Sequence, residues 1–203
     1  MRDFPISPYL RPAFTQALAE RLLNGESLNL TGPHGHGRRR TLRDLRHFLP
    51  ASLRVLQANL RRYPKDLTVL LDDLSTQGNC KTTEHLGTLL DALARRDGKT
   101  LLILHNFDEL QPGEESGYDD RFLAQLNDIR GRPNLSLLCV SERVHDDWPL
   151  RAEEMRLPPL TGEQIIAELR RRSVAEPELW QIADQLRQAQ PPYTALDTLY
   201  PET

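Results

Sequence analysis

The sequence predicts an α/β fold in which a mostly parallel sheet is covered by helices on both faces and followed by a small helical segment at the C-terminus. Three observations carry that expectation. Thr100-Leu101-Leu102-Ile103-Leu104 and Leu135-Ser136-Leu137-Leu138-Cys139-Val140 are short, nearly continuous apolar runs, the pattern of strands buried on both faces. Around them, Leu86, Leu89, Leu90 and Leu93, then Phe122, Leu123, Leu126 and Ile129, recur at the spacing of a helix with one apolar face. Past about residue 155 the apolar runs stop and helix-start signals follow one another.

Length and charge set bounds around this. The 203 residues carry 26 Lys and Arg against 29 Asp and Glu, a net charge of −3, and fit one domain with a small appendage. No window approaches the 18 apolar residues of a spanning helix. Arg2-Asp3-Phe4-Pro5 replaces the basic-then-apolar start of an export signal, so a cytoplasmic protein without membrane contact is expected. Cys80 and Cys139 share no metal-ligand spacing, and Cys139 sits where a buried free thiol is usual. A pI near 6.1 lacks the overall basic footprint of a duplex-binding protein.

The elements follow in order. Pro12 opens a helix carrying Phe14, Ala17, Leu18 and Leu22 and stopped by Asn24-Gly25. Ser27 to Thr31 is a strand running into a glycine-rich loop, and a helix starts near Arg38. The spacing predicts a further helix over about 52–62 and a buried strand at Leu67-Thr68-Val69-Leu70-Leu71, closed by the loop acids Asp72-Asp73. The helix bearing Leu86 to Leu93 ends at Asp97-Gly98, and the next is capped at Gly131. Thr161-Gly162-Glu163-Gln164 is a capping box, Pro177 opens another helix, and Tyr193 to Tyr200 form a last short one. A core over 1–152 and a helical lid over 153–203 are expected.

The most informative stretch is Gly32-Pro33-His34-Gly35-His36-Gly37-Arg38-Arg39. It sets the G-x-x-x-x-G frame between a strand and a helix, where glycines let backbone N–H groups converge on phosphate oxygens at a helix N-terminus. From Leu28 to Leu42 the chain resembles the first motif of AAA+-related P-loop ATPases of the STAND and archaeal-type groups, in which a strand feeds G-P-x-x-x-G-K-[ST]-[ST]-L. Thr100 to Leu110 resembles their second, acidic motif. Asn134 to Arg143 is similar to their sensor strand, and Gln190-Pro191-Pro192-Tyr193 to a segment of their helical lid. The resemblance implies a three-layer P-loop NTPase-like core with a lid.

The chain departs from that family at the chemistry. Arg38 stands for the phosphate-reaching Lys, and Arg39 for the hydroxyl residue that ligates magnesium, which a guanidinium cannot do. His105 and Asn106 match the metal-associated Asp and the water-activating Glu; Asp108 and Glu109 match the motif's trailing acids. The expectation is a pseudo-ATPase acting as a regulatory or adaptor module on another protein. ATP or ADP would be held without magnesium, if at all, by Gly32, Pro33, His34, Gly35, His36, Gly37, Arg38, Arg39 and Arg40, with Arg143 facing the cleft by resemblance. No catalytic residue and no metal ligand are assigned. Two other readings stand beside this one: an active ATP hydrolase with an Arg-containing loop served by Asp108 or Glu109, and a nucleic-acid-binding module using the arginines.

Other features have plain explanations. His34 and His36 lack a third ligand for a metal. Arg61-Arg62, Arg95-Arg96 and Arg170-Arg171-Arg172 fit solvated helix ends. Asp146-Asp147 read as loop acids, and Trp148 and Trp180 as packing residues.

Overall fold

The computed structural model describes residues 7–111, 113, 116–144 and 149–201. The chain packs as two compact units, one of Ala19–Thr31 and Leu49–Arg156, the other of Met1–Leu18, Gly32–Phe48 and Leu157–Thr203. Among the described residues no helix is long and apolar enough to cross a membrane. Asp146, Asp147 and Trp148 lie outside the described residues.

The first unit is built on five strands, β1 (Ser27–Thr31), β2 (Arg54–Asn59), β3 (Thr100–His105), β4 (Leu135–Ser141) and β5 (Glu153–Arg156). They are ordered β2-β3-β4-β1-β5 and every pairing is parallel. All of β1 and β4 is buried, which is why their sequences carry almost no charge. Helix α1 (Pro12–Leu23) precedes β1 in the chain, and helices α3 (Leu67–Gln77), α4 (Leu86–Ala94) and α5 (Asp120–Asn127) belong to the same unit as the sheet. Their leucines, Leu70, Leu71, Leu74, Leu86, Leu89, Leu90 and Leu93, form one core with Leu102, Leu104, Leu137 and Cys139 of the sheet. Each such leucine contributes roughly 2 kcal/mol by leaving water. Burial pushes the Cys139 thiol well above its ordinary pKa, as its apolar setting predicts.

Two expected elements are exchanged. The helix expected over 52–62 is β2 followed by a 3-10 turn at Leu60–Arg62, and the strand expected at Leu67–Leu71 is the first half of α3. A five-residue apolar run has no period by which to tell strand from helix. The deciding signal is Asp66, whose carboxylate accepts from the Val69 amide at 3.0 Å and caps α3. Asp72 and Asp73 are therefore helical residues, not loop acids; they accept from Thr82 and Tyr63, both at 2.9 Å. Strand β5, four residues bearing two glutamates, went unanticipated, and it places 153–156 in the sheet unit.

The second unit holds the glycine-rich loop, α2 (Arg38–Leu45), α6 (Gly162–Arg171), α7 (Leu179–Gln188) and α8 (Pro192–Leu199). Its core joins Leu10 and Leu160 to Ile165, Ile166, Leu169, Leu179, Ala183, Leu186, Tyr193 and Leu196. The capping box forms: the Gln164 amide donates to Thr161 Oγ1 at 3.2 Å, and the Thr161 amide to Gln164 Oε1 at 3.1 Å. Pro177 lies in a 3-10 turn that leads into α7. Trp180 is not a packing residue; it is 66% exposed on α7.

Candidate functional site

The loop between β1 and α2 turns on two glycines in the left-handed region, Gly35 at φ +76° and Gly37 at φ +83°. Gly37 caps α2 without a side chain, and its carbonyl accepts from the Thr41 amide at 3.0 Å and from Thr41 Oγ1 at 3.2 Å. The arrangement points a helix N-terminus at the loop, where partial positive charge suits an anion.

Each expected loop residue can now be placed. Gly32 is buried so close to Leu157 that a Cβ would fall 2.8 Å from that side chain's Cβ. Pro33 and His34 are exposed, and Gly35 and His36 are half-buried. Burial and the nearby Arg11 charge hold His36 below its ordinary pKa, so it is neutral at pH 7. Arg38 folds back over the loop, its Nη1 donating to the Gly32 carbonyl at 2.8 Å. Arg39 is exposed. Arg40 turns inward to Asp44 at 2.8 Å, to Glu168 at 3.2 Å and to the Pro8 carbonyl at 2.8 Å. Burial works against its charge, but Asp44 and Glu168 outweigh that and raise its pKa. The guanidinium of Arg40 is thus part of an internal ion network.

The C-terminal helix meets this loop directly. The amides of Tyr193 and Thr194, at the start of α8, donate to the Gly35 carbonyl at 3.0 and 3.1 Å. A Cβ on Gly35 would lie 2.3 Å from Thr194 Oγ1 and 2.4 Å from Pro191 Cγ. Helix α8 is in turn held by Arg172, which reaches Asp197 at 2.7 Å and Glu168 at 3.2 Å and lies over the Tyr193 ring at 5.6 Å. Arg171 also pairs with Glu168. Arg171 and Arg172 are therefore not a solvated helix end; the Arg172 side chain is 2% exposed. Sequence reasoning also missed Arg11, which is 1% exposed. It donates to the carbonyls of His36 at 2.8 Å and Pro158 at 3.0 Å and to Thr41 Oγ1 at 3.2 Å. Burial lowers its pKa to about 10, still charged at neutral pH. No local pattern marks a buried arginine, because its partners are groups remote in sequence.

The acidic-motif residues lie in the sheet unit. Asn106 follows β3 at φ +54°, and its Nδ2 donates to Asn59 Oδ1 at 2.7 Å. Asp108 accepts from the Glu142 amide at 3.0 Å, and Glu109 pairs with Arg61 at 2.6 Å. Arg143, just past β4, is exposed beside a small cavity of about 50 Å³ lined by Asn29, Phe107, Ser141 and Glu154. Among the described residues no group of three His, Cys, Asp or Glu is placed to hold a metal ion.

Arg38, Arg39 and the start of α2 bring positive charge to the loop, which suits an anion.

No family model matches the sequence, and no curated protein does. Solved structures share its fold. Cdc6p from Pyrobaculum aerophilum matches over 98% of this chain and 63% of its own, with 21% identity and a TM-score of 0.66. The Drosophila ORC bound to DNA matches over 97% and 55%, with 16% identity and a TM-score of 0.67. A Walker-type ATPase of Pyrococcus abyssi matches over 90% and 64%, with 17% identity and a TM-score of 0.65. The chain thus spans roughly three-fifths of the length of these relatives. The likeness shows an α/β, P-loop NTPase-like fold, as the sequence motifs lead one to expect.

Proposed function

We propose that this chain is a P-loop domain that does not hydrolyse nucleotide and serves as a regulatory or adaptor module through contact with another protein. The observation that carries this reading is the pair Arg38 and Arg39. The first is hydrogen-bonded to the loop's own Gly32 carbonyl, and the second supplies a guanidinium where catalysis needs a metal-ligating hydroxyl. The acidic motif supports it independently. Asn106 is an amide with no proton-accepting role in water activation, and Asp108 and Glu109 are engaged by Glu142 and Arg61. A nucleotide, where one is held, is held by its phosphate oxygens on Arg38, Arg39 and the start of α2, without magnesium.

The test is phosphate release from ATP with magnesium, alongside thermal shift with ATP and ADP, each with and without the ion. The expected result is release no faster than the buffer blank. Any rise in Tm, which follows RT ln(1 + [L]/Kd), should be the same in both ion conditions. Magnesium-dependent release that is abolished by Glu109→Gln overturns the proposal.

A further inference from the structure

The sheet unit holds a cleft of about 350 Å³, and none of its lining residues belongs to the glycine-rich loop. Leu86 and Phe122, both buried, and half-buried Leu67 give it apolar walls. Exposed side chains of both signs share it: Lys65 and Arg121 against Asp66, Glu84 and Asp119, with His85 next to Glu84. Two of the acids are fixed in place. Asp66 accepts from the Val69 amide at 3.0 Å and Asp119 from the Phe122 amide at 2.9 Å, each capping its helix, so neither swings towards a base. Among the described residues Lys65, Glu84 and Arg121 form no ion pair, in the cleft or outside it. Helix stability does not account for the two bases. Lys65 directly precedes the cap of α3 and Arg121 lies in the first turn of α5, where the macrodipole opposes positive charge.

We infer that this cleft binds a small zwitterion, a free amino acid or dipeptide with an apolar side chain. Its carboxylate pairs with Arg121 and Lys65, its ammonium with Glu84, Asp66 and Asp119, and its side chain packs on Leu67, Leu86 and Phe122. The inference goes beyond the adaptor reading and does not rest on it. The volume falls at the lower end of small-molecule sites, about 300–1,000 Å³, which combine apolar walls with a few polar groups. Charge selects the ligand further. A simple anion would face three carboxylates and a simple cation two bases, whereas a ligand carrying both signs satisfies both sets through charge-assisted hydrogen bonds. The acids do not form a metal cage, since among the described residues no such group is placed to hold an ion.

The experiment titrates the whole chain at pH 7 with L-leucine and with L-leucyl-L-leucine in a calorimeter. N-acetyl-L-leucine, which lacks the ammonium, and L-leucinamide, which lacks the carboxylate, are the comparison probes. The tighter zwitterion should bind saturably with a Kd of about 1 mM or lower, and each single-charge analogue at least about tenfold more weakly. Lys65→Ser/Arg121→Ser should weaken the zwitterion by about tenfold or more and abolish its advantage over leucinamide. A double variant removing the same charge elsewhere, Arg62→Ser/Arg130→Ser, should bind as the native chain does. Acetyl-leucine or leucinamide binding as tightly as the zwitterion, equal weakening by the two Ser doubles, or no saturable binding of either zwitterion overturns the inference.

Discussion

The amide of Tyr193 donates to the carbonyl of Gly35 at 3.0 Å, so the first turn of α8 is hydrogen-bonded to the left-handed turn of the phosphate-type loop. Gly35 is therefore required twice, once for its φ of +76° and once because Pro191 and Thr194 occupy the space a side chain would fill. Gly35→Ala should lower stability by about 2–4 kcal/mol through strain and overpacking and should speed amide exchange at Tyr193 and Thr194. Gly131→Ala, with nothing within 4 Å of its Cβ position, is the neutral control. An unchanged urea midpoint for Gly35→Ala would disprove the packing argument.

Glu168 is the centre of the buried ion network. It is 1% exposed and faces Arg40, Arg171 and Arg172. Glu168→Gln leaves the shape but removes the buried charge that Arg40, Arg171 and Arg172 share, leaving Arg172 only the exposed carboxylate of Asp197, and should cost about 3–5 kcal/mol, read from chemical denaturation. A loss below the size of one ordinary hydrogen bond would mean that the arginines find other partners.

Gln77 closes one edge of the sheet. Its carboxamide accepts from the Gln57 amide and donates to the Gln57 carbonyl, both at 2.9 Å, occupying backbone groups that β2 would otherwise offer to another strand. Gln77→Ala should lose about 1–2 kcal/mol and show concentration-dependent association in sedimentation velocity. A variant that stays monomeric at every concentration would contradict the edge-blocking role.

Acid should weaken a specific pair in the sheet unit. The hydrogen bond from Arg21, and then its charge, hold the Glu153 carboxyl below its ordinary pKa. A folded-state value lower than the unfolded one, about 4.3 for Glu, makes this pairing stabilising above that value and lost as pH falls through the lower folded one. The Tm difference between the native chain and Arg21→Gln should be constant near neutrality and shrink below about pH 4. A difference that persists to pH 2 would show that Arg21 acts through packing alone.

Much of the fold was legible because burial on both faces writes itself into composition. Strands β3 and β4 read as apolar runs, β1 as a short alternating stretch, α4 as four leucines at helical spacing, and α6 as a capping box, and each signal is contained within a dozen residues. Strand β2 and helix α3 were exchanged because their decisive features are weaker. β2 is an edge strand with only Leu56 and Ala58 buried, and α3 is announced by a single capping aspartate.

By itself the sequence determined the layered α/β architecture and the place of the loop between β1 and α2, since these depend on residue identity and local spacing. Only the tertiary structure decided what the charges do. Arg40 and Arg172 converge on Glu168, Arg11 lies buried among carbonyls of the loop and of Pro158, and Tyr193 and Thr194 close on Gly35. A guanidinium is equally at home on a wet surface or in a buried network, and the difference is set by whether distant segments bring it carboxylates and carbonyls.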